Sequence, residues 1–255
     1  MSRTIAISNQ KGGVGKTTTA INLAASLAAL DRRVLLFDLD PQSNATSGMG
    51  FSRSREGPDA YDVLSGTAAS EAIRETAFPN LWILPSGRDL VGAEIELVNE
   101  PEREHKLRNA LEPVRGRFDF VFIDCPPSLS LLTVNALSAA DSVLVPMQTE
   151  YFALEGVSEL LETIERVRAS FNPILTVEGI VLTMYDDRTN LGRQVTDDIR
   201  NHLGAKVYET IIPRNVRLGE APSFGKPVLA YDIKSRGAEA YLALAREFLK
   251  RRGAA

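Results

Sequence analysis

Short aliphatic and β-branched runs alternate along the chain with longer stretches of helical periodicity. Residues 5–8 read as a strand, followed by a glycine-rich turn and an Ala- and Leu-rich helix over 18–30. Residues 33–38 predict a second strand. A polar segment carrying Gly48, Gly50, Gly57 and Pro58 separates it from a third strand at 81–84, closed by Pro85-Ser-Gly. Residues 89–112 read as helix interrupted at Pro101. Residues 118–124 read as a fourth strand, cut off by Pro126 and Pro127. A helix over 131–139, a strand at 142–146, a helix over 154–169 and a strand at 177–184 follow. A helix over 190–203, a strand at 206–212, a loop through 213–227 and a helix over 235–251 complete the pattern. The strands are apolar on both faces, which predicts a mostly parallel sheet covered by helices on each side. No internal repeat, low-complexity tract or linker interrupts the alternation. The expectation is one doubly wound α/β domain over residues 1–255.

Composition narrows the class. The 255 residues are 44% apolar and 24% charged, which excludes wholesale disorder. The one cysteine, Cys125, excludes a disulfide framework and fits a reducing compartment. No apolar run approaches the roughly 18 residues of a membrane span, and no signal-peptide pattern precedes the first strand, so a cytoplasmic location is expected. His105 and His202 stand in no motif and read as surface residues. The net charge of −4 excludes a uniformly basic coat, but it is unevenly distributed. Residues 1–184 hold 16 Lys and Arg against 24 Asp and Glu, a balance of −8; residues 185–255 hold 13 against 9, a balance of +4.

The sharpest chemical signal is Asn9-Gln-Lys-Gly-Gly-Val-Gly-Lys-Thr-Thr-Thr19, between the first strand and the first helix. Gly12, Gly13 and Gly15 permit backbone angles that side chains forbid, so amide N–H groups can converge on an anion. The helix N-terminus adds its dipole. Lys16 can reach the β- and γ-phosphates of a nucleotide and Thr17 can place its hydroxyl on Mg²⁺. Two carboxylates, Asp38 and Asp40, close the second strand on one face of an extended chain. Asp124 ends an apolar strand, the pattern of an acid that holds the Mg²⁺ shell through water.

The loop departs from the general G-x-x-x-x-G-K-[ST] form: Gln10 stands first, and Lys11 sits five residues before Lys16. It resembles the deviant Walker A motif, K-G-G-x-G-K-[ST], of the ParA/MinD ATPases, a branch of the P-loop NTPase fold. The resemblance covers essentially the whole chain. Gln42-Ser-Asn-Ala-Thr-Ser-Gly, Asp124-Cys-Pro-Pro-Ser-Leu and the segment from Ile212-Pro-Arg-Asn-Val-Arg to Lys226-Pro resemble the chromosomal, Soj-type branch. This implies ATP bound by Lys11, Gly12, Gly13, Val14, Gly15, Lys16, Thr17 and Thr18, with Pro213 and Asn215 at the adenine. It implies a metal site of Thr17, Asp38 and Asp124. It also implies catalysis by Lys16, by Asp40 aligning the attacking water, and by Lys11 entering the partner's site in an ATP-sandwiched homodimer. An N-terminal helix-turn-helix extension is not expected.

Further implications concern partners. In Soj-like proteins, arginines matching Arg188, Arg214 and Arg217 contribute to non-specific binding of double-stranded DNA, with Arg193 and Lys226 as weaker candidates. Phosphate contacts need positive charge and not base edges. A ParB-like centromere-binding protein would stimulate a slow intrinsic ATPase, and the location would be nucleoid-associated. The rival reading is a MinD-like membrane-cycling ATPase, which needs a C-terminal amphipathic helix at the lipid interface; Phe248, Leu249 and Lys250-Arg-Arg252 hint at one, but Leu242, Ala245 and Leu249 fit a core-facing stripe. The nitrogenase iron-protein branch needs two cysteines per subunit and is excluded. A small-molecule ligase of the dethiobiotin synthetase type leaves the Pro-Arg-Asn segment without a use. A DNA-packaging protein with structural ATP leaves Asp40 without one.

Overall fold

The computed structural model describes residues 2–52, 54, 56–150, 153–186, 188 and 190–253. Among these, the strands are β1 (Arg3–Ile7), β2 (Val34–Asp38), β3 (Arg74–Glu75), β4 (Leu81–Leu84), β5 (Phe120–Asp124), β6 (Ser142–Gln148) and β7 (Thr176–Thr183). They form one sheet in the order β3-β4-β2-β5-β1-β6-β7, parallel throughout except for β3. The helices up to β6 are α1 (Lys16–Ala28), α2 (Asn44–Gly48), α3 (Ala60–Leu64), α4 (Ala69–Ala72), α5 (Leu90–Glu96), α6 (Lys106–Arg115) and α7 (Leu131–Ala139). Beyond β6 come α8 (Ala153–Ser170), α9 (Asn190–Leu203), α10 (Val216–Glu220), α11 (Val228–Tyr231) and α12 (Arg236–Arg251).

The unbroken apolar character of the strands has a direct cause. Side chains alternate across each strand, and both faces are covered. Ala6, Leu35, Phe37, Val121, Ile123, Val143 and Val145 enter one core, with residues of α6, α7, α8 and α9. Ile5, Ile7, Val34, Leu36, Phe120, Phe122 and Leu144 enter the other, with α1 and α12. Helix α1 is buried along most of its length, as its Ala-rich sequence allows. The C-terminal ends of β1, β2 and β5 carry the motifs. Ile7 and Asp38 are both register partners of Asp124, so the phosphate loop and two of the carboxylates converge at one edge of the sheet.

Three expectations are corrected. Residues 206–212 do not form a strand; they run beside β7 with a single bridge at Val207. Tyr208 and Ile212 N–H still donate to the Ile180 and Leu182 carbonyls of β7, but side chains interrupt the pairing between them: Glu247 accepts from the N–H groups of Glu209 and Thr210, and Arg251 donates to the carbonyls of Ala205 and Val207. The 213–227 loop contains α10 and a 3₁₀ turn at Ala221–Phe224. His105 is half-buried, edge-on to Phe171 at 6.1 Å between ring centroids, whereas His202 is exposed.

Candidate functional site

The phosphate loop is anchored on three sides. Asn9 donates to the Pro146 carbonyl at 2.8 Å, tying it to β6, and accepts from Lys11 N–H at 3.0 Å. Thr183, the last residue of β7, donates to the Val14 carbonyl at 2.8 Å. Gln10 reaches Thr163 on α8 at 3.1 Å. Gly13 and Gly15 adopt positive φ of 74° and 84°, the left-handed conformation that glycine tolerates. Gly15 is the N-cap of α1 and supplies no side chain, and the first turn holds no acidic residue. The orphan N–H groups at this helix end are therefore open to an anion, as the loop sequence predicts.

Lys16 is buried, and its Nζ donates to the Lys11 carbonyl at 3.1 Å, folding back along the loop. Burial lowers its pKa; the charges of Asp124 and Asp40 oppose the shift. Lys11 is half-exposed, and its ammonium pairs with Glu150. Thr17 and Thr18 are partly exposed at the mouth of the cradle, and Val14 is buried beneath it.

The three aspartates are not equivalent. Asp38 is fully buried: Oδ2 accepts from the N–H and the hydroxyl of Thr46, both at 2.7 Å, and Oδ1 accepts from Asp40 N–H at 3.1 Å. Burial raises its pKa to about 6, against those hydrogen bonds. Asp124 is equally buried, yet neither of its oxygens completes a hydrogen bond. Burial and then the charge of Asp38 raise its pKa well above the usual carboxylate value; the nearby Thr17 hydroxyl and Lys16 partly offset this. Asp40 accepts from Gln42 N–H at 2.9 Å. Asp124 is thus the carboxylate left open beside Thr17. Among the described residues no cluster of three His, Cys, Asp or Glu side chains could hold a metal. A cation here would take one hydroxyl, one carboxylate, phosphate oxygens and water, the oxygen-rich shell that suits Mg²⁺.

A pocket of about 240 Å³ opens off the cradle, lined by Gly15, Thr18, Thr183, Met184, Pro213 and Asn215. Met184 holds a positive φ of 52°, uncommon for a non-glycine residue. Asn215 caps α10, its Oδ1 accepting from Arg217 N–H at 3.0 Å. Arg188 and Arg214 share a broad cleft of about 750 Å³ with Tyr185, Asp186 and Arg236. Arg188 is bidentate to Asp186 at 2.8 and 2.6 Å, which holds that carboxyl far below its usual range. Arg217 lies apart from this cleft, paired with Glu220 at 2.7 Å and Asp232 at 3.3 Å. Asp187 and Thr189, on either side of Arg188, lie outside the described residues. The anchors Asn9 and Thr183 were missed in the sequence; a polar residue at a strand's end is their only signal.

A family model described as an AAA domain matches residues 2–177. The chain is 56% identical over 252 residues to the chromosome partitioning protein ParA of Caulobacter vibrioides, spanning 98% of this chain and 94% of that one. It belongs to the ParA/Soj family. It is likewise 54% identical over 248 residues to the sporulation initiation inhibitor protein Soj of Bacillus subtilis, spanning 97% and 98% of the two chains. A solved cobyrinic acid a,c-diamide synthase of Mycobacterium smegmatis, with bound ADP and magnesium, is 38% identical with a TM-score of 0.87, covering 99% of this chain and 96% of its own. The cell division ATPase MinD of Pyrococcus furiosus is 28% identical with a TM-score of 0.82, covering 98% and 100%. These neighbours carry different names on one fold, so the site and not the fold must assign activity. Against the MinD-like reading, α12 of this ParA/Soj chain turns its large apolar residues inward. Tyr241, Leu244, Phe248 and Leu249 are buried and Leu242 is half-buried. Arg252 is held by Glu178, and no helix among the described residues is long and apolar enough to cross a membrane.

Proposed function

We propose that the chain is a DNA-partitioning ATPase whose nucleotide state controls dimerisation and DNA affinity. It hydrolyses ATP to ADP and phosphate with Mg²⁺. The observation that carries this reading is the uncapped N-terminus of α1, set beside buried Lys16 and the open carboxylate of Asp124. The loop amides and Lys16 hold the phosphates, Thr17 and Asp124 hold the metal shell, and the pocket lined by Pro213 and Asn215 takes the adenine. Bound Mg²⁺ neutralises charge on the phosphate oxygens. Asp40 aligns the attacking water. Lys11 exchanges its exposed partner Glu150 for the phosphates across a dimer interface; an exposed ion pair is a weak competitor.

Closing two subunits places two sets of Arg188, Arg214 and Arg217 on one DNA-binding assembly. Each has an acidic neighbour or a shared cleft in the single chain, and DNA phosphates replace those weak surface pairings. A ParB-like partner stimulates hydrolysis, which reopens the dimer and releases DNA. Asp40→Ala keeps ATP binding and blocks turnover, so size-exclusion chromatography with ATP and Mg²⁺ is expected to show a trapped dimer. A monomer under those conditions contradicts the mechanism.

A further inference from the structure

Four buried residues close a ring of hydrogen bonds around the segment that carries Asp40. Thr46 donates twice to Asp38 Oδ2, at 2.7 Å from its N–H and 2.7 Å from its hydroxyl. The same hydroxyl accepts from Ser86 N–H at 2.8 Å. Ser86 Oγ donates to the Asp40 carbonyl at 2.9 Å, and Asp40 N–H returns to Asp38 Oδ1 at 3.1 Å. Asp38 and Thr46 are 0% exposed, Ser86 3% and Asp40 6%. Water does not compete for these bonds, and mutual polarisation strengthens them.

The ring joins two stretches of chain that are distant in sequence. One is residues 38–46, which pass through Ser43 at a φ of 53°. A non-glycine residue keeps that conformation where its surroundings over-determine it. The other is the loop after β4. It is pinned from behind, because Ala60 N–H donates to the Pro85 carbonyl at 2.9 Å, and a Cβ on Gly87 would strike the Asp59 carboxylate. The ring grips both backbone ends of Asp40; its carboxylate, one oxygen of which accepts from Gln42 N–H, faces the site, where its charge reaches Lys16 and Asp124.

We propose that Thr46 and Ser86 are positioning residues for hydrolysis: the ring they complete holds the Asp40 backbone, and so aims its carboxylate at the attacking water. This rests on the assignment of Asp40 given above. Ser86→Ala removes one neutral hydrogen bond, and about a fivefold loss is expected in the single-turnover rate of ATP hydrolysis. ATP affinity stays unchanged, because the phosphate loop is untouched. Thr46→Val loses more, and Thr46→Ser, which keeps the hydroxyl, restores the wild-type rate. Should Thr46→Val fail to fold, Ser86→Ala decides alone. A wild-type rate for Ser86→Ala, or a loss of affinity equal to the loss of rate, overturns the proposal and leaves Asp40 in its role. A wild-type rate for Asp40→Ala overturns the assignment of Asp40 itself.

Discussion

Asp38 and Asp124 face each other across adjacent strands, and burial works against the charge of both. A carboxylate whose folded pKa is raised is an ionisation penalty on the fold. The penalty is full above the folded pKa and vanishes below the unfolded value near 3.8. Asp124→Asn removes it at Asp124. Without nucleotide and Mg²⁺, that variant is expected to melt above the wild type at pH 7.5, by roughly 2–4 °C for each kcal/mol gained. The advantage shrinks as pH falls toward 4. An advantage that is constant with pH contradicts the electrostatic origin. This is the trade expected where function needs a destabilised group. The placement of Lys16, Thr17 and Asp124 at one end of the sheet was legible in the sequence because each sits at a fixed offset from a strand end or a glycine turn. The hold of Thr46 on Asp38 and of Ser86 on Thr46 and the Asp40 carbonyl could not, because it depends on a loop 40 residues downstream of Thr46 in the chain.

At the scale of elements, the alternation of apolar strands and helices predicted the parallel sheet, since covered strands are apolar on both faces. Leu81–Leu84 and Leu131–Ala139 fall where the pattern put them. Residues 206–212 misled it. Val207, Tyr208, Ile211 and Ile212 have strand-like chemistry, and Tyr208 and Ile212 N–H do bond β7, yet Tyr208 crosses Gly179, and Glu247 and Arg251 take the Glu209 and Thr210 N–H groups and the Val207 carbonyl that would continue the ladder. Short helices such as α2 and α3 have too few residues to show a period. Helix α12 carries its own prediction. Phe248 is 0% exposed and packs on Phe120 at 5.3 Å and Phe122 at 6.0 Å, beneath the Arg252 guanidinium at 4.7 Å. Phe248→Ala is expected to cost about 3–5 kcal/mol, read from chemical denaturation. A cost under 1 kcal/mol would mean that this helix is not a core element, and would reopen the lipid-facing reading.

Across the whole molecule, a net charge of −4 conceals an acidic body and a more basic last quarter. The basic residues are not one patch: Arg188 and Arg214 share a cleft with Arg236, while Arg217 sits with Glu220 and Asp232. On the proposed function, one subunit would offer DNA a divided and partly neutralised surface, and two subunits joined by ATP would offer it twice over. Replacing Arg188, Arg214 and Arg217 by Glu is expected to abolish DNA retention while leaving ATP-driven dimerisation intact. The most direct test of ATP-gated DNA binding is retention on non-specific double-stranded DNA, compared with ATP, with ADP and without nucleotide, for the wild type and for Lys16→Ala. Retention of the wild type with ATP alone, and none of Lys16→Ala in any state, is expected; equal retention in all three nucleotide states would contradict ATP gating.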